Sequence, residues 1–218
     1  KLCKNIDSIV VCTDSKKIRK VVEENGVKVL MTSKKHKNGT ERICEIIDKI
    51  NSNFVIDVHS DEALLDPKNL SNLINFHKKN KQFDIVVPHK ISKEDGGKNV
   101  VKILTNKENK IIYFTRSKSP FDFKNKKPKY QHHLDIISFK KEVLKKFKKF
   151  KEGRLESFEG IELLRALENN LKMGSFPIAT NTFSINTVQD LNKAKKFIKK
   201  DQVFKKYKNW KILKLKKS

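Results

Sequence analysis

Short apolar runs alternate along the N-terminal part of the chain with segments whose apolar side chains recur every three or four positions. That alternation constrains the fold more than any single motif. Strands buried on both faces and helices with one apolar stripe bury both together only in a layered α/β arrangement. Ile9 to Thr13 reads as a strand, and Ser15 to Asn25 as a helix carrying Ile18, Val21 and Val22 before Gly26 stops it. Val27 to Met31 is the next strand, and Gly39 to Ile50 a helix with Ile43, Ile46, Ile47 and Ile50 on one face. Phe54 to Val58 follows as a strand. Asp66-Pro67 then opens a helix bearing Leu70, Leu73 and Ile74, with Asp as N-cap and Pro at the first helical position. The fold predicted is α/β, with a mostly parallel sheet and helices on both faces.

After Phe83 to Val87 the rhythm changes. Val100 to Leu104 and Ile111 to Phe114 flank the polar turn 105–110 and read as a hairpin inserted into the α/β core. Leu134 to Phe139 is another strand, followed by helices over 141–150 and 158–170, the second with Ile161, Leu164, Leu167 and Leu171 inward. A short strand near Phe176 to Ile178 leads to Phe183 to Asn186. Thr187 and Asp190 then form a capping-box opening for a last helix bearing Leu191, Ala194 and Ile198. The organisation expected is one domain over 1–200, an inserted subdomain over about 98–140, and a basic tail over 201–218 holding Trp210.

Charge narrows the partners less than it first suggests. The formal net charge is +25, but lysines lie on nearly every segment and are dense only over 140–151 and 195–218. Solvated helix faces account for that pattern, and no nucleic-acid-binding motif accompanies it, so no nucleic-acid partner is expected. Cys3, Cys12 and Cys44 have no CxxC spacing and an odd count, which argues against a disulfide framework and for a reducing cytoplasm. No apolar run is long enough for a transmembrane helix, and no signal-peptide core precedes the first strand. The chain begins at Lys1 rather than Met, and upstream sequence is expected.

Polar residues collect where strands end: Asp14, Ser33 to His36, His59 to Glu62, Arg116, His132-His133 and Asn186. In open α/β sheets the carboxyl ends of strands are where ligands bind. Each member has a bland reading of its own. Asp14 and Asp66 suit helix caps, Asp61-Glu62 a solvated turn, and His132-His133 a strand pair facing opposite sides. There is no Gly-rich phosphate loop, no zinc-ligand spacing and no GxSxG elbow. An exposed carboxylate such as Asp61 beside basic residues suits Mg²⁺ held between protein and substrate phosphates.

Six segments occur in an order that carries more information than any one of them: "MTSKKHKNGTERICEII" (31–47), "IDVHSDEALLDP" (56–67), "IIYFTRSKSPFD" (111–122), "YQHHLDIISFKKEVL" (130–144), "LESFEGIELLRALENN" (155–170) and "FSINTVQDLNKA" (183–194). Together they resemble the 3-deoxy-manno-octulosonate (Kdo) cytidylyltransferases, or CMP-Kdo synthetases, over residues 8–199. The resemblance implies a Rossmann-like nucleotidyltransferase fold and a cytoplasmic homodimer paired through the inserted subdomain, serving lipopolysaccharide biosynthesis. The implied reaction is attack of a sugar-acid hydroxyl on the α-phosphate of CTP, releasing pyrophosphate, with Mg²⁺ bridging the reactants.

By position, Asp61 falls on the family's metal-binding aspartate, and Gly39, Thr40 and Arg42 on the motif flanking the nucleotide. Arg116, His133, Glu159 and Glu162 fall on the sugar-acid side, Arg116 as partner of the substrate carboxylate. His59 stands in the same turn as Asp61 and is a further substrate-binding candidate. The departures are as informative. The family's second metal aspartate matches Asn186, its turn glutamine, glycine and proline match His59, Ser60 and Ala63, and the glutamine of its last motif matches Leu163. Its arginine, glycine and tyrosine around the histidine motif match His132, Asp135 and Ile137, and its basic triphosphate-holding loop would lie before residue 1. The leading expectation is CMP transfer to Kdo or a close relative. The alternatives are activation of another sugar acid, or a diverged non-catalytic paralogue of the same fold.

Overall fold

The computed structural model describes residues 2–180, 182–185 and 187–206. A β-α-β unit opens the chain: β1 (Val10–Thr13), α1 (Lys16–Glu24) and β2 (Lys28–Met31), with β1 and β2 pairing in parallel as a separate two-stranded sheet. Ser15 caps α1 by accepting from the amide of Ile18. α2 (Gly39–Ile46) follows, capped by Asn38 and continued by a 3₁₀ turn over Ile47–Lys49. β3 (Phe54–Val58) then leads through the two-residue β4 (Glu62–Ala63) into α3 (Pro67–Lys79), which Asp66 caps and Pro67 starts, as the dipeptide predicts.

The principal sheet has seven strands and is mostly antiparallel, which corrects the parallel sheet expected from the β-α alternation. β5 (Ile85–Ser92), β6 (Lys102–Thr105), β7 (Ile111–Thr115), β8 (Tyr130–His133), β9 (Ile136–Lys140) and β10 (Met173–Pro177) join β3 in the order β3-β9-β5-β8-β6-β7, with β10 on β5. Only β10 and β5 pair in parallel. The reason is topological. β3 and β5 run the same way, as a helical crossover requires, but the chain returns from the β6–β7 hairpin to lay β9 between them, antiparallel to both. Alternation along a sequence reports the direction of successive strands, not which strand finally lies beside which.

Three local expectations also shift. The strand expected over 134–139 is β9, and a further strand, β8, precedes it, the two parted at Leu134-Asp135. The helix expected over 158–170 is α5 (Arg154–Glu159) and α6 (Leu163–Glu168), because Gly160 takes the left-handed conformation at φ +62° and ends the first. The last helix, α7 (Val188–Ile198), has the capping box of Thr187 and Asp190, yet buries none of its residues, and Leu191 and Ile198 are 40 % and 38 % exposed. Trp210 and the rest of the tail beyond 206 lie outside the described residues.

Alternating side chains feed two apolar layers. Ile85, Val87, Ile137 and Phe139 face α2, α6 and α4 (Lys141–Phe147), packing with Ile47, Leu144, Phe147 and Leu164. Val86 and Ile136 face the other way, against Leu73 of α3 and Phe83. Removing one such side chain, as in Leu144→Ala, costs about 2–5 kcal/mol. The two layers place the ends of β3, β8 and β9 beside the start of α2. Among the described residues no helix is long and apolar enough to cross a membrane.

Candidate active site

β3 breaks its own apolar pattern near its end. Asp57 and His59 are two residues apart, so they project from the same face of the strand line. Asp57 is only 8 % exposed, and its Oδ2 lies 3.6 Å from His59 Nε2. Neither atom has a hydrogen-bond partner. α2 starts directly over them, and its first residue must be small. A Cβ at Gly39 would sit 3.3 Å from His59 Nε2 and 3.5 Å from Asp57 Oδ2.

The next residue of α2 brings in the third group. Thr40 Oγ1 donates to Glu162 Oε1 at 2.5 Å, and the Thr40 amide to Oε2 at 3.4 Å. Glu162 leads into α6, whose position is fixed from below by Arg165. That guanidinium donates to both oxygens of Glu156 at 2.6 Å and to Glu41 at 3.0 Å, and lies over the Phe147 ring. A buried ionic cluster thus clamps α2, α5 and α6 together behind the site.

The other limb of the site grows from the strand break. The His59 amide donates to the Asp135 carbonyl at 3.1 Å, continuing the β3–β9 ladder one step. Asp135 Oδ1 lies 3.0 Å from His133 Nδ1 and 4.0 Å from His59 Nδ1. Ser184, on β11 (Phe183–Ser184), reaches Asp135 Oδ2 at 3.3 Å and Glu62 Oε1 at 2.7 Å. The result is one continuous polar network running from Glu162 through Asp57, His59, Asp135 and Ser184 to Glu62. Buried polar atoms are nearly always hydrogen-bonded, yet four here have no hydrogen-bond partner among the described residues: Asp57 Oδ2, His59 Nε2, Glu62 Oε2 and His133 Nε2.

The charges in the network pull on one another. The Asp57 carboxylate draws the His59 imidazole up to about 9 against the opposing effect of burial, with Asp135 and Glu162 adding to the pull. At 3.6 Å that pair is an electrostatic contact rather than a hydrogen bond. Burial would raise Asp135, but the hydrogen bond and charge of His133, with His59 and Ser184, hold it at about 2. Burial pushes Glu162 up to about 7, with the like charge of Asp57 adding to the effect and the Thr40 hydrogen bonds opposing it. Glu62 is raised as well, mainly by burial. Near neutral pH the site therefore combines ionised acceptors, a cationic imidazole and one carboxyl poised to gain or lose a proton.

Of the residues singled out from the sequence, Gly39, Thr40, His59, His133 and Glu162 meet here. Arg116 and Glu159 lie outside this cluster. Arg116 Nε donates to the Glu159 carbonyl at 2.7 Å, while its Nη1 and Nη2 reach the carbonyls of Lys98 and Gly160 at 3.2 and 3.3 Å. Both Glu159 oxygens are taken, by Thr115 Oγ1 and the Arg116 amide. Together they staple β7 to the end of α5. Arg42 is similarly engaged, with Thr32, Ser33 and Asp14 at the ends of β1 and β2. Asp61 is half-buried, and its backbone carbonyl accepts from Ile185. Among the described residues its carboxylate has neither a hydrogen bond nor an ion pair, and Asn186 lies outside them. Asp57 and Asp135 were not singled out as site residues from the sequence. An acid inside an apolar strand, two residues before a histidine, was the signal for Asp57.

Comparison with known proteins gives the family of the chain. A family profile described as Cytidylyltransferase matches residues 1–173. The 3-deoxy-manno-octulosonate cytidylyltransferase of Fusobacterium nucleatum is 32% identical over 203 residues, covering 91% of this chain and 83% of its own. The enzyme of the same name from Thermodesulfovibrio yellowstonii is 35% identical over 213 residues, covering 90% and 83%. Among solved structures, CMP:2-keto-3-deoxy-manno-octonic acid synthetase complexed with CTP superposes with a TM-score of 0.86 at 23% identity, over 91% of this chain and 83% of that one. The chain is a member of the cytidylyltransferase family, within its 3-deoxy-manno-octulosonate cytidylyltransferase branch.

Proposed function

We propose that the protein transfers CMP from CTP to Kdo or a close relative, releasing pyrophosphate. The observation that carries this reading is the unsatisfied network at the ends of β3 and β8, in a chain of this family. Four buried polar atoms without a hydrogen-bond partner among the described residues, on acids and imidazoles of one continuous network, form the complement of a small polyhydroxylated ligand. His59 and His133 offer N–H donors, while Asp57, Glu62 and Glu162 offer acceptors. In the reaction the sugar hydroxyl oxygen bonds to the α-phosphorus, the bond to the bridging oxygen of pyrophosphate breaks, and the hydroxyl proton leaves. Glu162, with its carboxyl near pH 7, suits a group that receives a hydrogen bond from a hydroxyl losing its proton. The remaining side chains orient the sugar, and orientation supplies much of the acceleration in such transfers.

A divalent cation belongs to the same proposal. Asp61 offers a hard oxygen ligand with no protein partner among the described residues, which fits Mg²⁺, and Asn186 is its proposed neighbour. When bound, such an ion neutralises charge developing on the phosphates. Two further features stay proposals of the same kind. Arg116 and Glu159 act by fixing the β7–α5 junction beside the site, and pairing of two copies through the 98–140 segment accords with Ile112, Phe121 and Phe123, exposed by 57 %, 76 % and 83 %. Light scattering of the purified protein tests the pairing.

The direct experiment incubates the protein with CTP, Mg²⁺ and Kdo and follows pyrophosphate. Release that depends on all three is expected. Release with a different sugar acid alone would move the substrate but keep the transfer. No release with any sugar acid, from protein that is folded by circular dichroism, would overturn the proposal.

A further inference from the structure

The geometry points to a transition-metal site that the sequence spacing did not suggest: we propose that Asp57, His59 and Glu162 together bind one first-row divalent ion, such as Zn²⁺ or Mn²⁺. Asp57 Oδ2, His59 Nε2 and a Glu162 carboxylate oxygen all lie within 4.8 Å of one another. The 3.6 Å between Asp57 Oδ2 and His59 Nε2 is too long for a hydrogen bond. It is the separation of two ligands about 2.1 Å from a shared ion, at an angle of roughly 120°. Both atoms are buried without a hydrogen-bond partner among the described residues, and Asp57 as a whole is only 8 % exposed. A carboxylate that deeply buried is costly unless something positive meets it; without an ion the charge is met only by protonated His59 at 3.6 Å, with no hydrogen bond, and a bound cation replaces that proton. Two carboxylates and one neutral imidazole carry the charge that a divalent ion balances.

The surroundings have the form of a supported metal centre. Ligating groups are normally held by a second layer of hydrogen bonds. Glu162 is held by Thr40 through both oxygens. His59 turns its other ring nitrogen, Nδ1, toward Asp135 Oδ1 at 4.0 Å, and Asp135 is in turn fixed by His133 and Ser184. Gly39 leaves room beside the ligand atoms where any Cβ would stand 3.3 Å from the imidazole nitrogen. An imidazole in the donor set favours Zn²⁺, Mn²⁺ or Fe²⁺ over Mg²⁺, which prefers oxygen alone. The ion takes the place of a proton on the imidazole, as metal binding to histidine requires. This site is separate in its ligands from the cation proposed at Asp61, but it uses Asp57, His59 and Glu162 of the network proposed to hold the sugar, so with the ion bound it is the ion, not these three side chains, that meets the ligand there.

The test needs neither CTP nor sugar, so its outcome and that of the transferase assay are independent. Untagged protein is stripped with chelator and titrated with Zn²⁺ and Mn²⁺ by calorimetry, and its visible spectrum is recorded with Co²⁺. One equivalent of Zn²⁺ is expected, with Co²⁺ giving ligand-field bands. Asp57→Asn and His59→Gln, which keep shape and lose ligand strength, are each expected to weaken Zn²⁺ binding at least tenfold, and Gly39→Ala to do the same by crowding. Asp61→Asn is expected to retain the Zn²⁺ equivalent. The proposal is overturned if folded wild-type protein takes up no equivalent. It is also overturned if Asp57→Asn and His59→Gln bind as tightly as wild type, or if Asp61→Asn alone abolishes uptake.

Discussion

Two sets of buried polar side chains sit on the same sheet, and they differ in who completes them. His77 donates from Nε2 to the Phe83 carbonyl at 3.1 Å and accepts at Nδ1 from Ser138 at 2.7 Å. His89 donates from Nδ1 to Ser175 at 2.6 Å, and the Ser175 hydroxyl donates to the Val87 carbonyl at 2.6 Å. Lys102 spends its ammonium on the carbonyls of Gly97, Val100 and Arg116. Arg165 has Glu156 and Glu41. In the other set, Asp57, His59, Glu62 and His133 each keep a buried atom unmatched. The first set is complemented by the protein itself and belongs to its stability. The second is left open, and an open polar site in a packed interior marks where a ligand supplies the missing partner.

The comparison breaks most visibly at Arg165. Arg165→Met leaves Glu156, 7 % exposed, without its bidentate partner, and removing one member of a buried ion pair costs about 3–5 kcal/mol. Urea unfolding is expected to show that loss. A loss under about 1 kcal/mol would mean that the clamp behind the site is not structural.

The satisfied histidines should show themselves through pH. Burial holds His77 and His89 down to about 4, below the roughly 6.5 of an unfolded histidine. Between those values the unfolded chain binds protons that the folded chain refuses. Their contribution is therefore intact above pH 6.5 and is lost as pH falls toward 4, by roughly 2–3 kcal/mol for each residue. Urea midpoints measured from pH 7 to pH 4 should fall steeply, and the slope should flatten in a His77→Gln, His89→Gln double variant. An unchanged slope in that variant would assign the acid sensitivity elsewhere.

Thr40 lies at the border between the two sets, fully buried but bonded to the open site. Thr40→Val removes the hydroxyl that helps Glu162 bear charge, so the Glu162 carboxyl should rise further above neutrality. The expected loss is about 1–2 kcal/mol at pH 8, where Glu162 is made to ionise. It should be smaller at pH 6, where the carboxyl keeps its proton. Equal losses at both pH values would separate Thr40 from the charge of Glu162.

How far the sequence disclosed this division follows from what each signal measures. Periodicity placed β1, α1, β2, α2, β3 and α3 because each is decided by neighbours in sequence, and Ser15, Asp66 and Thr187 announced their helices by local capping chemistry. The direction of the sheet was not legible, since the insertion of β9 between β3 and β5 is decided by partners distant in the chain. The site was legible in part. His59, Thr40 and Glu162 stood in motifs, but whether a polar side chain there is satisfied depends on what packs across from it. Arg116, Glu159 and Arg42 stood in motifs equally and proved to be bound to backbone and strand ends. Asp57 was hidden inside a run that read as strand.

The smallest predicted effect is the sharpest test of the division. Asp57→Asn changes a buried carboxylate to an amide of the same shape, and in a protein-complemented network it would cost several kcal/mol. At Asp57 the lost charge had no hydrogen bond at Oδ2 and stood near a second acid, Glu162. His59 loses the strongest of its attractions in the change, but Asp135 and Glu162 still attract its imidazole, and relief of the repulsion between Asp57 and Glu162 offsets the loss. Stability measured without ligand should therefore stay within about 1 kcal/mol of wild type, or rise. CMP transfer to the sugar acid should fall at the same time, since the substitution removes an acceptor from the network. A stability loss of about 3 kcal/mol or more would move Asp57 into the first set. It would also mean that an unmatched buried atom here does not mark a ligand site.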